Sequence, residues 1–218
     1  DYFELLGILK ATPLNEARRK SLAEAGQGLH AIACRIDSAE EAQNALTDLG
    51  IGTHGLGSFE RPVPLPSGGD AVAAFSTVVF DADQVPMGSV FMCQHKTPET
   101  VWLPELLSHP NTTCGLRALL AVSETSEEHA RQFARLWADG RVVMSPDAFT
   151  VETGENSAPL VLLTQEALEA RYPGMDLSGI PTGIFSGLQL KTADLNAAKS
   201  CLKDAGIATT ETALGLAV

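Results

Sequence analysis

Paired cysteines are missing from this sequence: Cys34, Cys93, Cys114 and Cys201 lie far apart and none belongs to a C-x-x-C pair. That excludes a zinc ribbon and a thioredoxin-type redox motif, and it predicts free thiols in a reducing, cytoplasmic compartment. Long apolar runs are missing too, since nothing approaches the roughly 20 residues needed to cross a bilayer. Positive charge is scarce, with 15 Lys and Arg against 27 Asp and Glu and a net charge of −12. Such a field repels phosphate backbones and anionic headgroups, and no basic cluster offsets it locally, so neither nucleic acid nor a membrane is an expected partner. There is also no G-x-S-x-G elbow, no P-loop and no G-x-G-x-x-G opening a helix after a strand.

What is present is a globular composition and a repeat. With 44% hydrophobic residues in 218, the chain can bury a real core as one large domain or two smaller ones. Residues 28–51, GLHAIACRIDSAEEAQNALTDLGI, read as a strand, a capped helix and a glycine stop. A similar stretch returns as GIFSGLQLKTADLNAAKSCLKDAGI. A shift of 156 positions lays Gly50 and Ile51 on Gly206 and Ile207, Asp48 on Asp204, Leu46 on Leu202 and Ala42 on Ala198. In the same register His30 falls opposite Ser186.

Taken in order, residues 2–9 (YFELLGIL) read as a strand with Glu4 as its one acid, already under way at the first residue, which predicts further chain upstream. Thr12-Pro13 opens a short helix to about Glu24. Residues 29–36 form the next strand, with His30, Ile32, Cys34 and Ile36 on one side. Ser38 and Glu41 make a capping box, Ala42, Ala45, Leu46 and Leu49 the apolar stripe, and Gly50 the stop. Three strands follow at about 52–59, 72–81 and 88–95, broken by RPVPLPSGGD and by residues 83–87. This is a βαβββ copy. Residues 102–113, with His109-Pro110-Asn111, read as a linker. A divergent copy begins at Gly115, with a strand over 116–122, a helix striped by Ala130, Phe133, Ala134 and Trp137, and strands near 141–144, 149–152 and 160–163, before a small helix from Thr164. A further copy starts at Phe185. The expected division is 1–108 and 109–218, within an α+β fold of repeated βαβββ units.

Paired βαβββ units, together with YFELLGI, GLHAIACRID and FMCQHKTPETVWLPELLSHPN, resemble the vicinal oxygen chelate superfamily of glyoxalase I, extradiol dioxygenases and bleomycin-resistance proteins, and within it the glyoxalase-like domain branch. The resemblance implies curved, cup-like mixed sheets and one divalent metal (Fe, Mn, Ni, Co or Zn) held by a first-strand His and a last-strand Glu. His30, seven residues before Asp37, matches the His position, and Glu4 matches the carboxylate, as metal ligand and catalytic group. The second copy's last strand has no Glu and offers Cys93, Gln94 or His95 instead, with His95 the implied ligand. Arg117 and Ser186 stand at the His position of the later copies, so the C-terminal half is expected to hold no such metal.

Two imidazoles and a carboxylate leave a divalent ion open to chelate a small oxygen-bearing substrate, which implies lyase, isomerase or dioxygenase chemistry. Each residue has a plainer reading as well. His30 is then a strand histidine satisfied by a backbone carbonyl, Glu4 a solvent-facing acid, and Cys93 a packing residue or a substrate contact. His54, in GTHGLGSF, contacts substrate or serves a turn, and His129 is solvated helix surface. The alternative to a metal enzyme is a metal-free small-molecule binder of the bleomycin-resistance type. Pairing of copies within one chain or between two is left open, so a homodimer is one of two expected arrangements.

Overall fold

The computed structural model describes residues 2–218. The structure is α+β, with mixed sheets that do not close into barrels. Its contacts form two compact units, each drawn from more than one stretch of chain. The first unit combines residues 2–30 with Gly115–Lys191 and Thr212–Ala217, and the second combines Ala31–Cys114 with Thr192–Glu211 and Val218.

Residues 2–9 correct the sequence reading. They form no strand, and Leu5 and Leu9 are fully exposed. An apolar, aromatic composition favours a strand only where a neighbour supplies the ladder. A 3-10 turn at Pro13–Asn15, closed by the Thr12 N–H donating to Asn15 Oδ1 at 3.1 Å, leads into α1 (Glu16–Ala25). No residue of α1 is buried.

The second unit contains the βαβββ copy expected after Gly28: β1 (Ala31–Ile36), α2 (Ala39–Asp48), β2 (Thr53–Pro64), β3 (Asp70–Phe80) and β4 (Ser89–His95). The sheet order is β1-β4-β3-β2, with β1 parallel to β4 and the other neighbours antiparallel. A helix crossover is what makes the parallel pair possible, and hairpins supply the rest. Ser38 caps α2 by accepting from the Glu41 N–H, and Gly50 stops it in the left-handed region at φ 68°. The buried stripe is rotated from the expected one. Ala39 and Leu46 are buried while Leu49 is 71% exposed, because Leu49 is already the C-cap and has turned off the sheet. β2 runs on through Pro62 and Pro64, where a break was expected. Proline is tolerated there because β2 is the edge of the sheet and one side of its backbone needs no ladder donor.

The first unit repeats the topology with β5 (Thr113–Val122), α3 (Ser126–Ala134), β6 (Arg141–Met144), β7 (Phe149–Glu152) and β8 (Leu160–Leu163). Its order β6-β7-β8-β5 mirrors the second unit strand for strand, again with the first and last strands parallel. Gly140 is required where the chain leaves α3, since a Cβ there would lie 1.8 Å from the Ala134 carbonyl oxygen. α4 (Gln165–Arg171) follows, capped by Thr164, and β9 (Gly187–Thr192) joins the sheet beside β5. The last copy continues with α5 (Leu195–Asp204), β10 (Thr210–Thr212) and β11 (Gly215–Ala217). Leu29 and Phe185, equivalent under the 156-residue shift, meet in an antiparallel bridge in which the Phe185 N–H donates to the Leu29 carbonyl at 3.1 Å.

Candidate functional site

Side chains alternate across a sheet, so the register of β1 to β4 sorts the second unit into two faces. Gln94 lies on one of them, and its Oε1 accepts from the Ala39 N–H at the first turn of α2 (3.2 Å), so α2 covers that face. The opposite face carries Ala31, Ala33 and Arg35 from β1, then Phe91, Cys93 and His95 from β4. Thr77, Phe75 and Ala73 follow from β3, and Gly57, Phe59, Arg61 and Val63 from β2. Its buried centre is Val63, Ala73, Phe75 and Cys93. Within these four strands the face includes two arginines and no carboxylate, although the chain as a whole is at −12.

A continuous row of π systems crosses this face. Phe59 pairs with Phe75 and Phe75 with His95 in the ladder, and their rings meet at centroid distances of 4.9 and 5.1 Å. Trp102 extends the row, stacking on His95 at 5.7 Å, and the Arg35 guanidinium lies 5.7 Å from the Trp102 ring centroid. Local backbone bonds put Trp102 there. Thr97 bridges back to β3, receiving the Ala74 N–H and donating to the Val72 carbonyl, and a 3-10 turn at Pro98–Thr100 reverses the chain. The Trp102 N–H closes that turn on the Pro98 carbonyl at 2.8 Å.

His95 is electronically distinctive. Burial lowers its pKa from 6.5, and the positive charge of Arg35 acts in the same direction. Trp102 donates its indole N–H to His95 Nδ1 at 3.2 Å, which leaves the neutral ring's proton on Nε2. The row thus has an exposed ring at Phe59, a buried one at Phe75, a half-buried neutral imidazole and indole beyond it, and a guanidinium at one end.

The implied metal ligands are arranged differently. His30 precedes β1 and belongs to the first unit, where Nδ1 is 2.8 Å from Ser21 Oγ and Nε2 2.8 Å from the Gly26 carbonyl oxygen. A carbonyl only accepts, so Nε2 carries the proton and the one lone pair, on Nδ1, faces the Ser21 hydroxyl. Glu4 stands exposed in residues 2–9, on no strand. Within neither unit, among the described residues, do three His, Cys, Asp or Glu side chains converge to hold a metal ion. His30 and Glu4 belong to the first unit and His95 to the second, so neither unit by itself carries the implied donor set.

Cys93 shares the face of His95 and is 4% exposed, packed among Val63, Ala73 and Phe75. No disulfide joins any of the four cysteines. His54 is exposed, with Nε2 3.5 Å from Asp81 Oδ1. The carbonyl of His109 receives the Thr112 N–H in a linker turn. His129 differs from the solvated surface expected of it: Nδ1 is 2.8 Å from Ser123 Oγ and Nε2 3.2 Å from Thr125 Oγ1, and the ring folds back over the start of α3. Ser186 receives the Val122 N–H on its hydroxyl at 2.9 Å. Arg35, Phe59, Phe75 and Trp102 were not singled out by the sequence. Period-2 spacing could have placed Arg35, Phe59 and Phe75 on a face, but the register brings Phe59 and Phe75 together, and the turn after Thr97 brings in Trp102.

The first unit treats the equivalent face differently. Ala118, Leu120 and Val122 of β5 and Val161 and Leu163 of β8 are buried there with Ala148, Leu168 and Leu177, and Ala167, Tyr172, Met175 and Ile180 pack over them. The buried residues of α3 lie outside this cluster, so α4 and the segment after it fill the face that α3 leaves open. Arg171 pairs with Asp147 at the β6–β7 turn, and the Gln189 side-chain amide donates to Tyr172 Oη at 2.7 Å.

No curated protein matches the chain. Among solved structures it is similar to a hypothetical protein from Staphylococcus aureus, at 12% identity and a TM-score of 0.55 over 67% of this chain and 57% of that one. A candidate dioxygenase from Bacillus subtilis is matched at 9% identity and a TM-score of 0.33, over 84% of this chain and 55% of that one. The chain thus spans somewhat more than half the length of each, and the first likeness is one of fold alone. No described helix is long and apolar enough to cross a membrane. The family model described as a glyoxalase-like domain matches residues 1–137, which bear the first complete βαβββ copy and the opening of the next, and the chain belongs to that family.

Proposed function

We propose that this glyoxalase-like chain binds a small planar molecule on the helix-free face of the second unit, without a resident metal. The observation that carries the reading is the unbroken row Phe59, Phe75, His95, Trp102 and Arg35, which offers aromatic area and polar groups on one surface. The contrast between the units supports it, since the same face of the first unit is filled by its own chain. A metal-dependent lyase or dioxygenase would require His30 to give up its Ser21 contact and recruit ligands that the described residues do not gather.

The test uses the whole chain with Trp137→Phe, leaving Trp102 as the one indole. Titration with planar aromatic compounds is expected to change Trp102 fluorescence saturably, and equally with and without a chelator. Binding that disappears with chelator and returns with a divalent cation would overturn the metal-free reading. A Trp102 signal that nothing planar perturbs would remove the site.

A further inference from the structure

The charge and relief of this same face narrow its ligand, an inference that rests on the site just proposed. We infer that it takes a planar, conjugated anion, its ring laid on the β1–β4 floor and its carboxylate or phenolate held at Arg35. The floor is built of small side chains. Ala31 and Ala33 are exposed on β1 opposite Ser89 and Phe91 of β4, and Arg35 follows on the same face opposite Cys93. From residue 31 to residue 35 a strand advances about 13 Å, at roughly 3.3 Å per residue, which is room for two fused rings. Alanine at two successive inward positions leaves a shallow bed that any larger side chain would occupy, flanked by the half-buried Phe91.

Charge decides the class. The whole chain at −12 repels anions at long range, but screening over about 8–10 Å leaves the nearest groups in control at contact. Beside the floor that group is Arg35, and this face of the four strands carries no acid. The Arg35 guanidinium already lies against Trp102, so its planar fork is partly ordered and suited to bidentate recognition of a carboxylate. A cationic ligand laid on this floor would meet the Arg35 guanidinium at its end. A neutral ligand could use the aromatic row but would leave the guanidinium unused.

The experiment compares 2-naphthoate, 2-naphthamide and 2-naphthylmethylammonium as probes of the Trp137→Phe chain, by Trp102 fluorescence and calorimetry. Naphthoate is expected to bind at least about tenfold more tightly than the amide, a preference that shrinks as salt is raised. Arg35→Met keeps the side-chain stem, and in that variant naphthoate should fall to the amide's affinity while both still perturb Trp102. Ala33→Trp fills the floor and should abolish binding of both with the fold intact by circular dichroism. Equal affinity of naphthoate and naphthamide, or preference for the ammonium probe, overturns the anion assignment and leaves the site standing. Undiminished binding to Ala33→Trp overturns the floor. If no probe perturbs Trp102, the site reading falls, and the ligand class with it.

Discussion

His95 and His30 show how little a residue type says about its work until its hydrogen-bond partners are known. The ring of His30 is held at both nitrogens by Ser21 and Gly26, whereas His95 sits among aromatic rings with its pKa lowered by burial and by Arg35. The direction of that shift sets a pH dependence. In the unfolded chain the ring takes up a proton near 6.5, and in the folded chain it resists until lower pH, so below 6.5 the unfolded state binds more protons and stability falls with pH. The contribution is complete above 6.5 and is lost as pH drops toward the folded pKa. Protonation also turns Nδ1 into a donor, which ends the bond from Trp102. His95→Phe keeps the stack while removing the titration. Urea midpoints measured between about pH 7.5 and pH 5 are expected to fall more steeply for the wild type than for the variant. Parallel pH profiles would show that His95 stays neutral for another reason or carries no linked proton. His95 and Cys93 could be placed on one face from sequence alone, since strand alternation within β4 is enough. Their neighbours Phe59 and Phe75 could not, because register across two hairpins depends on where each turn falls, and the turn after β2 lies beyond two prolines.

At the scale of elements, most of the fold was legible. The capping box at Ser38 and Glu41, the glycine stop at Gly50 and the strand runs of both βαβββ copies are local features, and local features survive into the fold. What was misread depended on partners. Residues 2–9 have strand composition but form no strand, and Leu49 has helical spacing but lies at the C-cap. α4 was expected only as a small helix, and its role as the cover of the first unit's sheet comes from Leu168 inside and from Arg171 bonded to Asp147 outside. The hydrogen bonds from Arg171 and Ser145 hold the Asp147 carboxyl below 3.8, so the pair stabilises the fold above that value and is lost as pH falls through the folded pKa. The Asp147 side chain is 48% exposed, so solvent screening limits the effect. Asp147→Asn is expected to cost about 0.5 kcal/mol near neutral pH and progressively less in acid, read as a urea midpoint difference that narrows as pH falls below 3.8. A difference that does not narrow with falling pH would mean that packing at the turn, and not charge, is what the substitution disturbs.

Across the whole molecule, two sheets of identical strand order have been put to opposite uses, and a pair of substitutions separates them. In the first unit the helix-free face is core: Leu168 is 2% exposed, and truncating it leaves a cavity among Leu120, Leu163 and Leu177. Leu168→Ala is expected to cost about 2–4 kcal/mol. In the second unit the same face is buried only at its centre: Phe75 is 3% exposed, while Phe59 beside it is 52% exposed and rests on it, so Phe59→Ala removes one stacked pair and is expected to cost about 1 kcal/mol. Binding should respond in the reverse order. Under conditions where both variants remain folded, Leu168→Ala should leave the Trp102-monitored affinity for a planar probe unchanged, and Phe59→Ala should weaken it. The reason lies in marginal stability. A fold can leave one apolar face uncovered only if another covers its own, because a chain of this size holds a net stability of only about 5–15 kcal/mol. If Phe59→Ala instead proves the more destabilising of the two with binding untouched, the aromatic row is a structural girdle of the second unit and its ligand must be sought elsewhere.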